Sequence, residues 1–457
     1  MRLSRAQLDH LPPAVLRPQR LPQASGIVHF GIGAFHRAHQ AWYTEACIAD
    51  GAQEWGISGV SLRSDSVARQ LNPQDGLYTL TTRTGARAET RVIGAVREVL
   101  VGSPDRQAII ARLAAPECHI ASFTITEKGY ARAPDGALDR AQAAGGFYPL
   151  LEEALRRRRA AGLPGLTLLS CDNLPGNGTI LGQLVGAWLD AADPALARWF
   201  AQECTAPETM IDRIVPASSP ADRDDIAAMI GMRDEGAVFA EPFSQWVIAG
   251  RFAGPRPAWE HHGVQIVANV APYENAKLRM LNGAHSLLAY CGLARGHAYV
   301  HQAIADPALR ALAEALMREE AAPTIAAGPG QRLDPYADDL IARFANAALN
   351  HRLAQIAIDG SQKIPQRWLA TLADAQAQQR GCPAILTALA AWLRHVRGDN
   401  GPVDDPLADQ LAAVWAREGT GGIVTALFGP QGLLRSAWVP TPDESAFIAA
   451  RLAPASA

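Results

Sequence analysis

Lysine is rare in this chain, and each lysine lies inside a dense polar motif. Lysine and arginine together number 42, and only Lys128, Lys277 and Lys363 are lysine. A guanidinium stays protonated at any working pH, whereas a desolvated lysine can lose its proton. The three positions are therefore candidates for a compact amine with a chemical task. The alternative is codon bias toward arginine, which would leave a few lysines at random positions.

Lys277 belongs to a segment whose polar residues recur at helical spacing. At ~100° per residue, an α-helix places Glu274, Asn282 and His285 on the same side as Lys277, with Leu281 among them. Hydride transfer between an alcohol and a nicotinamide cofactor needs a base for the hydroxyl proton and hydrogen-bond donors for the developing alkoxide. Burial lowers the pKa of a lysine toward the range of a general base. The spacing predicts that Lys277 is this base and that Asn282 and His285 contact the substrate oxygen, with a purely structural polar cluster as the alternative.

A glycine-rich turn near the N-terminus could hold a dinucleotide. Gly31 and Gly33 follow an apolar run and precede a helical pattern, so the backbone can turn tightly and approach a pyrophosphate. His36 stands where the third glycine of the fingerprint is usual, which leaves the motif incomplete. After the next apolar run, Asp65 could accept hydrogen bonds from the adenosine ribose and repel a 2′-phosphate, which predicts NAD, whereas Arg63 would favour NADP. The other cofactor-binding candidates are Phe35 and Thr126.

The elements that must position these residues form two regions. Short β-rich runs alternate with helical ones in the first half, which indicates a parallel sheet with helices on its faces. A hairpin, Leu77–Arg83 and Glu89–Val96, predicts that the sheet is enlarged and partly mixed. From about Pro272 the pattern changes to long helices, the first predicted over Tyr273–Gly292. We therefore predict an α/β fold: a Rossmann-like domain over residues 1–272 and a mainly α-helical domain over residues 273–457.

Composition excludes several classes of function. A net charge of −3 gives no basic field for nucleic acid or for an anionic membrane. No apolar run reaches the ~18 residues of a membrane span, and no leader-like segment is present, so we expect a cytoplasmic protein. The six cysteines are scattered without a C-x-x-C pair, which predicts small buried side chains and no metal site.

The combined motifs resemble those of the polyol-specific long-chain dehydrogenase family, also called the mannitol dehydrogenase family. The likeness covers almost the whole chain, and the motifs together are highly specific. It rests on Lys277-x4-Asn282-x2-His285, the Gly31-x-Gly33 turn with its Phe-His-Arg-Ala-His continuation, Thr126-Glu-Lys-Gly-Tyr, Ser-Cys-Asp-Asn173-Leu-Pro-Gly-Asn-Gly, Met-Ile-Asp212-Arg-Ile-Val-Pro, Glu-Pro-Phe-Ser-Gln-Trp-Val-Ile and Asp-Gly-Ser-Gln-Lys363.

The resemblance implies a zinc-independent enzyme that uses NAD(P), with Lys277 as the base. It implies that Asn173 joins Asn282 in stabilising the oxyanion and that Glu274 relays protons to solvent. It also implies that three residues contact substrate in a cleft between the two domains, and that the protein is a monomer. Those three residues are Asp212, His285 and Lys363.

The resemblance extends to a particular branch of the family. Fructuronate reductases reduce a keto-uronate to D-mannonate, whereas mannitol 2-dehydrogenases act on a neutral polyol. Lys128 and the segment from Lys363 to Arg367 add cations that a substrate carboxylate would need, so we expect the uronate branch. Tagaturonate reductase, arabinitol dehydrogenase and mannitol 2-dehydrogenase are the enzymatic alternatives. A nucleotide-binding protein without turnover is the remaining one, and the complete set of lysine, asparagines and histidine argues against it.

Overall fold

The computed structural model describes residues 1–85 and 87–452. The chain divides into two compact units, Met1–Val270 and Ala271–Ala457. Residues 453–457 of the second unit are not among those described. The first unit contains three sheets and the second is helical. The predicted α/β fold class, a Rossmann-like region followed by a mainly helical one, is confirmed.

The central sheet of the first unit has five parallel strands. Their spatial order is Val96–Val101, Ile57–Ser61, Ile27–Phe30, Ile120–Phe123 and Thr167–Ser170. All four residues of Ile27–Phe30 are buried, as expected of a strand with helices on both faces of its sheet. The chain leaves this first strand toward one side of the sheet and later returns to the other. Ligands of such sheets bind at this switch point, beyond the carboxyl ends of the strands.

The predicted hairpin is present, but it lies in a second sheet. Tyr78–Thr84 pairs antiparallel with Arg87–Ile93, and Val15–Leu16 and Val238–Ala240 add parallel partners at the two edges. The mixed pairing expected for the central sheet therefore occurs here, and the central sheet stays parallel. A third sheet has the strand order Gln265–Val267, Gln245–Ala249 and Thr209–Asp212.

Two helices of the first unit begin at a polar cap followed by proline. The Asp193 side chain accepts hydrogen bonds from the amides of Ala195 and Leu196, and Ser219 forms a capping box with Asp222. Proline follows each cap, where its missing N–H costs nothing. The α-helices of this unit are Ala34–Ala38, Gln40–Ala49, Ser66–Leu71, Arg106–Ala114, Thr126–Gly129, Arg140–Ala143, Tyr148–Ala160, Asn177–Ala192, Pro194–Glu203 and Pro220–Ile230.

The second unit is built around the helix Gly283–Leu293, whose side chains are almost all buried. It packs against Leu353–Ala357 and Pro383–Val396. The other α-helices are Ala271–Ala276, Val300–Ala305, Pro307–Ala315, Leu333–Phe344, Gly360–Ile364, Ala370–Ala377, Ala408–Leu427 and Pro442–Leu452, and three π-helical segments are Lys277–Asn282, Leu316–Ala321 and Pro365–Leu369. The helix predicted to run unbroken over Tyr273–Gly292 is thus interrupted by a π-helix.

Candidate active site

The Gly31 turn is fixed by the strand beside it. Gly31 has a φ of +94°, and a Cβ at this position would lie 2.0 Å from the carbonyl oxygen of Thr124. Only glycine fits there. At Gly33, by contrast, the nearest atom to an added Cβ is the Gly31 oxygen at 3.9 Å, so the space above this residue is open. An exposed, open backbone at the start of a helix is what close approach of a pyrophosphate requires.

A buried histidine supports this turn from behind. His29 is fully buried, its Nδ1 lies 2.8 Å from Ser122 Oγ, and its Nε2 lies 2.8 Å from Thr124 Oγ1. Burial lowers the pKa of His29 to about 3, so the ring is neutral and can accept a hydrogen bond as well as donate one. The His36 ring stacks on it with centroids 3.4 Å apart. His36 therefore packs the helix against the first strand, the task that the third glycine of the fingerprint performs elsewhere.

Two further candidates for cofactor binding, Asp65 and Phe35, lie in different environments. Asp65 precedes the helix Ser66–Leu71, and its exposed carboxylate pairs with Arg69 at 2.5 Å. The strand that precedes Asp65, Ile57–Ser61, pairs in parallel with the first strand, Ile27–Phe30. Phe35 is half-buried and its ring stacks on His39 at 5.1 Å.

Thr126 is held by a carboxylate that the sequence motifs did not single out as a site residue. It has a φ of +61°, and its amide donates to Asp172 Oδ1 at 2.9 Å. The hydroxyl of Tyr130 donates to the other oxygen of Asp172 at 2.8 Å. Asp172 thus joins the loops that follow the fourth and fifth strands of the central sheet. Lys128 lies on the short helix Thr126–Gly129 with its side chain exposed.

Asn173 directly follows Asp172 and is exposed. Its loop is fixed by Asn177, whose Nδ2 donates to the carbonyl oxygens of Asp172 at 3.1 Å and Thr209 at 2.9 Å. The second asparagine of the Asp-Asn-Leu-Pro-Gly-Asn motif is therefore structural. Asp212 is buried at the end of the strand Thr209–Asp212, opposite Gln245.

In the second unit, Lys277 opens the π-helix that interrupts the predicted helix. Its side chain is only 9% exposed, and Glu274 and Asn282 are half-buried. The i→i+5 hydrogen bonds of a π-helix bring residues five apart toward one side, which a regular α-helix does not do. Lys277 and Asn282 are five residues apart. The interruption therefore places Asn282 closer in angle to Lys277 than the sequence predicted, and such segments are frequent at functional sites.

His285 is the third residue of the following helix, Gly283–Leu293, and lies among basic side chains. Its ring centroid is 5.2 Å from that of Phe344 and 4.8 Å from that of His351. Burial holds the pKa of His285 well below its ordinary value, and the neighbouring His351 lowers it further. His285 Nε2 is buried without a hydrogen-bond partner in the described part of the chain. The positive charges that also depress this pKa belong to Arg343, Lys363 and Arg367.

Lys363 is the one of these cations that the sequence singled out. It lies on the helix Gly360–Ile364, half-buried, and its Nζ donates to the carbonyl oxygens of Ile358 at 2.5 Å and Ile356 at 3.4 Å. Burial lowers the pKa of Lys363, and Arg367 lowers it further. The second unit therefore collects Glu274, Lys277, Asn282 and His285 on one segment with Lys363 near His285, while the first unit holds the remaining candidates.

Neither a metal-binding cluster nor a membrane-spanning helix occurs among the described residues. Among residues 1–85 and 87–452, no group of three or more His, Cys, Asp or Glu side chains could hold a metal ion. No helix in the same described ranges is long and apolar enough to cross a membrane. All six cysteines are free and buried, as predicted.

Comparison with known proteins identifies both regions. The chain matches the mannitol dehydrogenase Rossmann domain over residues 25–261 and the mannitol dehydrogenase C-terminal domain over residues 269–428. It is 42% identical to an uncharacterized oxidoreductase, YeiQ, of Escherichia coli over 91% of this chain and 90% of the other. It is 39% identical to the D-mannonate oxidoreductase of Escherichia coli over 90% of this chain and 88% of that one.

A solved structure extends the likeness to three dimensions. The ternary complex of Pseudomonas fluorescens mannitol 2-dehydrogenase with NAD and D-mannitol has a TM-score of 0.82 and 33% sequence identity, over 99% of this chain and 96% of that one. Both domain models and full-length relatives therefore agree with the sequence motifs. The chain belongs to the mannitol dehydrogenase family of oxidoreductases.

Proposed function

We propose that this protein catalyses reversible, NAD-dependent hydride transfer between a keto-uronate and an aldonate, D-fructuronate and D-mannonate. The observation that carries the substrate class is the group of basic side chains around His285. Arg343, Lys363 and Arg367 all lie close enough to depress its pKa. A substrate carboxylate compensates such charges through charge-assisted hydrogen bonds, which a neutral polyol does not supply. The 39% identity to a D-mannonate oxidoreductase supports the same assignment.

In this proposal Lys277 is the general base. It takes the proton of the alcohol in oxidation and returns it to the carbonyl oxygen in reduction, and Glu274 passes that proton to solvent. Asn282 and Asn173 donate hydrogen bonds to the oxygen as negative charge develops on it. Asp212 and His285 orient the other hydroxyl groups of the substrate. The low pKa of His285 supports a neutral ring, which can donate from one nitrogen and accept at the other.

The residues of the first unit fit a dinucleotide. A Cβ would fill the close approach at Gly31, and the backbone at Gly33 is open, which suits the pyrophosphate. When bound, the nicotinamide ring supplies or accepts the hydride. Asp65 is proposed to bind the ribose hydroxyls, with Phe35 and Thr126 nearby in the nucleotide site. Replacement of Asp65 by serine should then raise kcat/KM with NADPH relative to NADH, and an unchanged ratio would favour Arg63 as the determinant.

Mannitol 2-dehydrogenase activity is the second candidate, favoured by the likeness to the Pseudomonas fluorescens enzyme. A panel of steady-state assays separates the two. NADH and NADPH oxidation would be followed with fructuronate, tagaturonate, fructose and xylulose, and NAD reduction with D-mannonate and mannitol. The proposal expects the highest kcat/KM with fructuronate and NADH. Turnover of mannitol and fructose without turnover of any uronate would replace it with the polyol alternative.

A further inference from the structure

We propose that Arg367 is the residue that binds the substrate carboxylate, through the guanidinium nitrogens that the fold leaves unused. The inference rests on the proposed function and assigns one residue to the substrate's charge. Lys363 is the competing assignment, because it is the cation that the sequence motif singles out.

The position of Arg367 is fixed beside the candidate catalytic segment. It lies in the π-helix Pro365–Leu369, which packs against the π-helix Lys277–Asn282. Its Nη1 donates to Ser286 Oγ at 2.7 Å and to the carbonyl oxygen of Asn282 at 3.4 Å. These two partners bracket His285 in the chain. The guanidinium is therefore anchored by one nitrogen next to His285, and its orientation does not depend on a ligand.

The other nitrogens of this guanidinium are not used. Nε and Nη2 of Arg367 have no hydrogen-bond partner among the residues that the structure describes, and no carboxylate there pairs with Arg367. Arg279, on the adjoining π-helix, provides a contrast, since it is only 12% exposed and pairs with Asp374 at 2.6 Å. Burial lowers the pKa of Arg367 to about 10. Arg367 is half-buried, so its guanidinium loses part of its hydration without gaining an anion, and this environment favours an anionic ligand.

Lys363 already has compensation that Arg367 lacks. Two backbone carbonyl oxygens accept hydrogen bonds from its Nζ. The negative charges of Asp359 and Asp405 act on it and oppose the lowering of its pKa. Asp405 is itself fixed, because its carboxylate accepts from the amide of Ser361 at 2.7 Å and from its hydroxyl at 2.5 Å. Of the two cations, Arg367 is therefore the one whose positive charge is less compensated by nearby negative charge.

A second, independent feature indicates that a ligand belongs here. His285 Nε2 is buried and has no partner in the described ranges, although buried polar atoms are nearly always paired. A sugar acid offers a hydroxyl or carbonyl oxygen for this nitrogen and a carboxylate for Arg367. A guanidinium can hold both carboxylate oxygens with two parallel hydrogen bonds, whereas an ammonium acts as a point charge. The pair therefore fits an acid with a polar carbon chain better than a neutral polyol.

The test compares Arg367→Gln, Arg367→Lys and the control Arg417→Gln, which removes an exposed arginine of the same unit. We expect Arg367→Gln to raise the KM for fructuronate ~10- to 100-fold, the scale of charge-assisted hydrogen bonds, with a much smaller change in kcat. Arg367→Lys should recover only part of the loss. NADH affinity should stay within about twofold of wild type and the melting temperature within a few degrees, and any change in fructose turnover should be much smaller than the change in KM for fructuronate.

Two results overturn this inference while the proposed function survives. One is an unchanged KM for fructuronate in Arg367→Gln. The other is a parallel loss of kcat, NADH affinity and melting temperature, which would indicate a structural role. A wild-type enzyme that turns over no uronate would instead overturn the proposed function itself, and the Arg367 assignment with it. Isothermal titration of D-mannonate into the NADH-free variants gives the same comparison without turnover.

Discussion

At the scale of single residues, the proposed mechanism depends on what a lysine can do that an arginine cannot. Lys277 is buried, in a chain with only three lysines among its 42 lysine and arginine residues. The π-helix that begins at Lys277 turns Asn282 toward it, so the proposed base and a proposed oxyanion donor approach each other through backbone geometry. A base must lose and regain a proton in each turnover, and guanidinium does not do so at working pH.

Replacement of Lys277 tests this assignment. Lys277→Ala should lower kcat at saturating substrate by at least ~10²-fold, the usual contribution of a general base, and NADH affinity should be retained. Lys277→Arg should fail as well, because it keeps the charge but cannot give up its proton. Stopped-flow and steady-state measurements with the preferred substrate provide the comparison. Near-normal kcat in either variant would mean that another group is the base.

At the scale of secondary-structure elements, the ends of the central strands position the nucleotide candidates. The Gly31 turn is fixed by Thr124 on the neighbouring strand's continuation, and His29 bonds Ser122 and Thr124 from the first strand. These contacts join residues about ninety positions apart in sequence. The geometry of the turn is therefore a property of the assembled sheet, and a substitution in it should affect the sheet and the nucleotide together.

Gly31→Ala is the corresponding prediction, with Gly231→Ala as its matched control. Both glycines have positive φ, +94° and +71°, so alanine is strained at each by about 1–2 kcal/mol. Only at Gly31 does the new Cβ also meet a backbone atom, at 2.0 Å, and at Gly231 nothing lies within 4 Å. We expect Gly31→Ala to lower the melting temperature much more than Gly231→Ala and to abolish measurable NADH binding. Equal effects of the two variants on NADH binding would contradict the role of the turn.

At the scale of the whole molecule, buried titratable groups couple stability to pH in opposite directions. Burial raises the pKa of Glu45 and of Glu320 to about 7. The folded state therefore holds these protons more tightly than the unfolded chain, and the stability that each group contributes is lost as the pH rises through about 7. The buried histidines act the other way. The lowered pKa of His29 makes the fold less stable as the pH falls below the ordinary histidine range.

Glu45→Gln separates these contributions. Its Oε2 accepts from the amide of Gly94 at 2.8 Å, a bond that glutamine can keep. Near pH 5 the wild-type carboxyl is protonated and the variant should melt close to wild type. Near pH 8 the wild type holds a buried carboxylate, so the variant should melt at a higher temperature than wild type. Glu54→Gln, at an exposed glutamate of the same unit, should show no such pH-dependent difference, and the same absence in Glu45→Gln would contradict the prediction.

The sequence predicts what depends on local pattern and misses what depends on distant contacts. The Gly31 turn and the Lys277 segment are readable because the glycines and the polar residues stand at fixed short spacings. The π-helix is not, since residues 277–282 contain neither proline nor glycine and no local signal marks the change of helix type. Asp172 is missed as a support for Thr126 because the bond spans 46 positions.

Arg367 illustrates the same limit at the candidate substrate site. The sequence places Arg367 in the cationic segment that begins at Lys363, but within that segment Lys363 stands out because lysine is rare. The difference between them becomes visible only in the fold, where Asp359 and Asp405 act on Lys363 and no described carboxylate pairs with Arg367. The roles that we assign to Lys277, Asn282, His285 and their partners stay predictions until the variants are measured.

Direct competition between an acidic and a neutral substrate tests the central claim. Equal concentrations of D-fructuronate and D-fructose would be incubated with limiting NADH, and D-mannonate and mannitol would be quantified, so that the product ratio equals the ratio of the two kcat/KM values. Because the positive charges around His285 attract a carboxylate more strongly than a neutral polyol, we expect D-mannonate in at least ~10-fold excess. An excess of mannitol would contradict it and make this protein a polyol dehydrogenase.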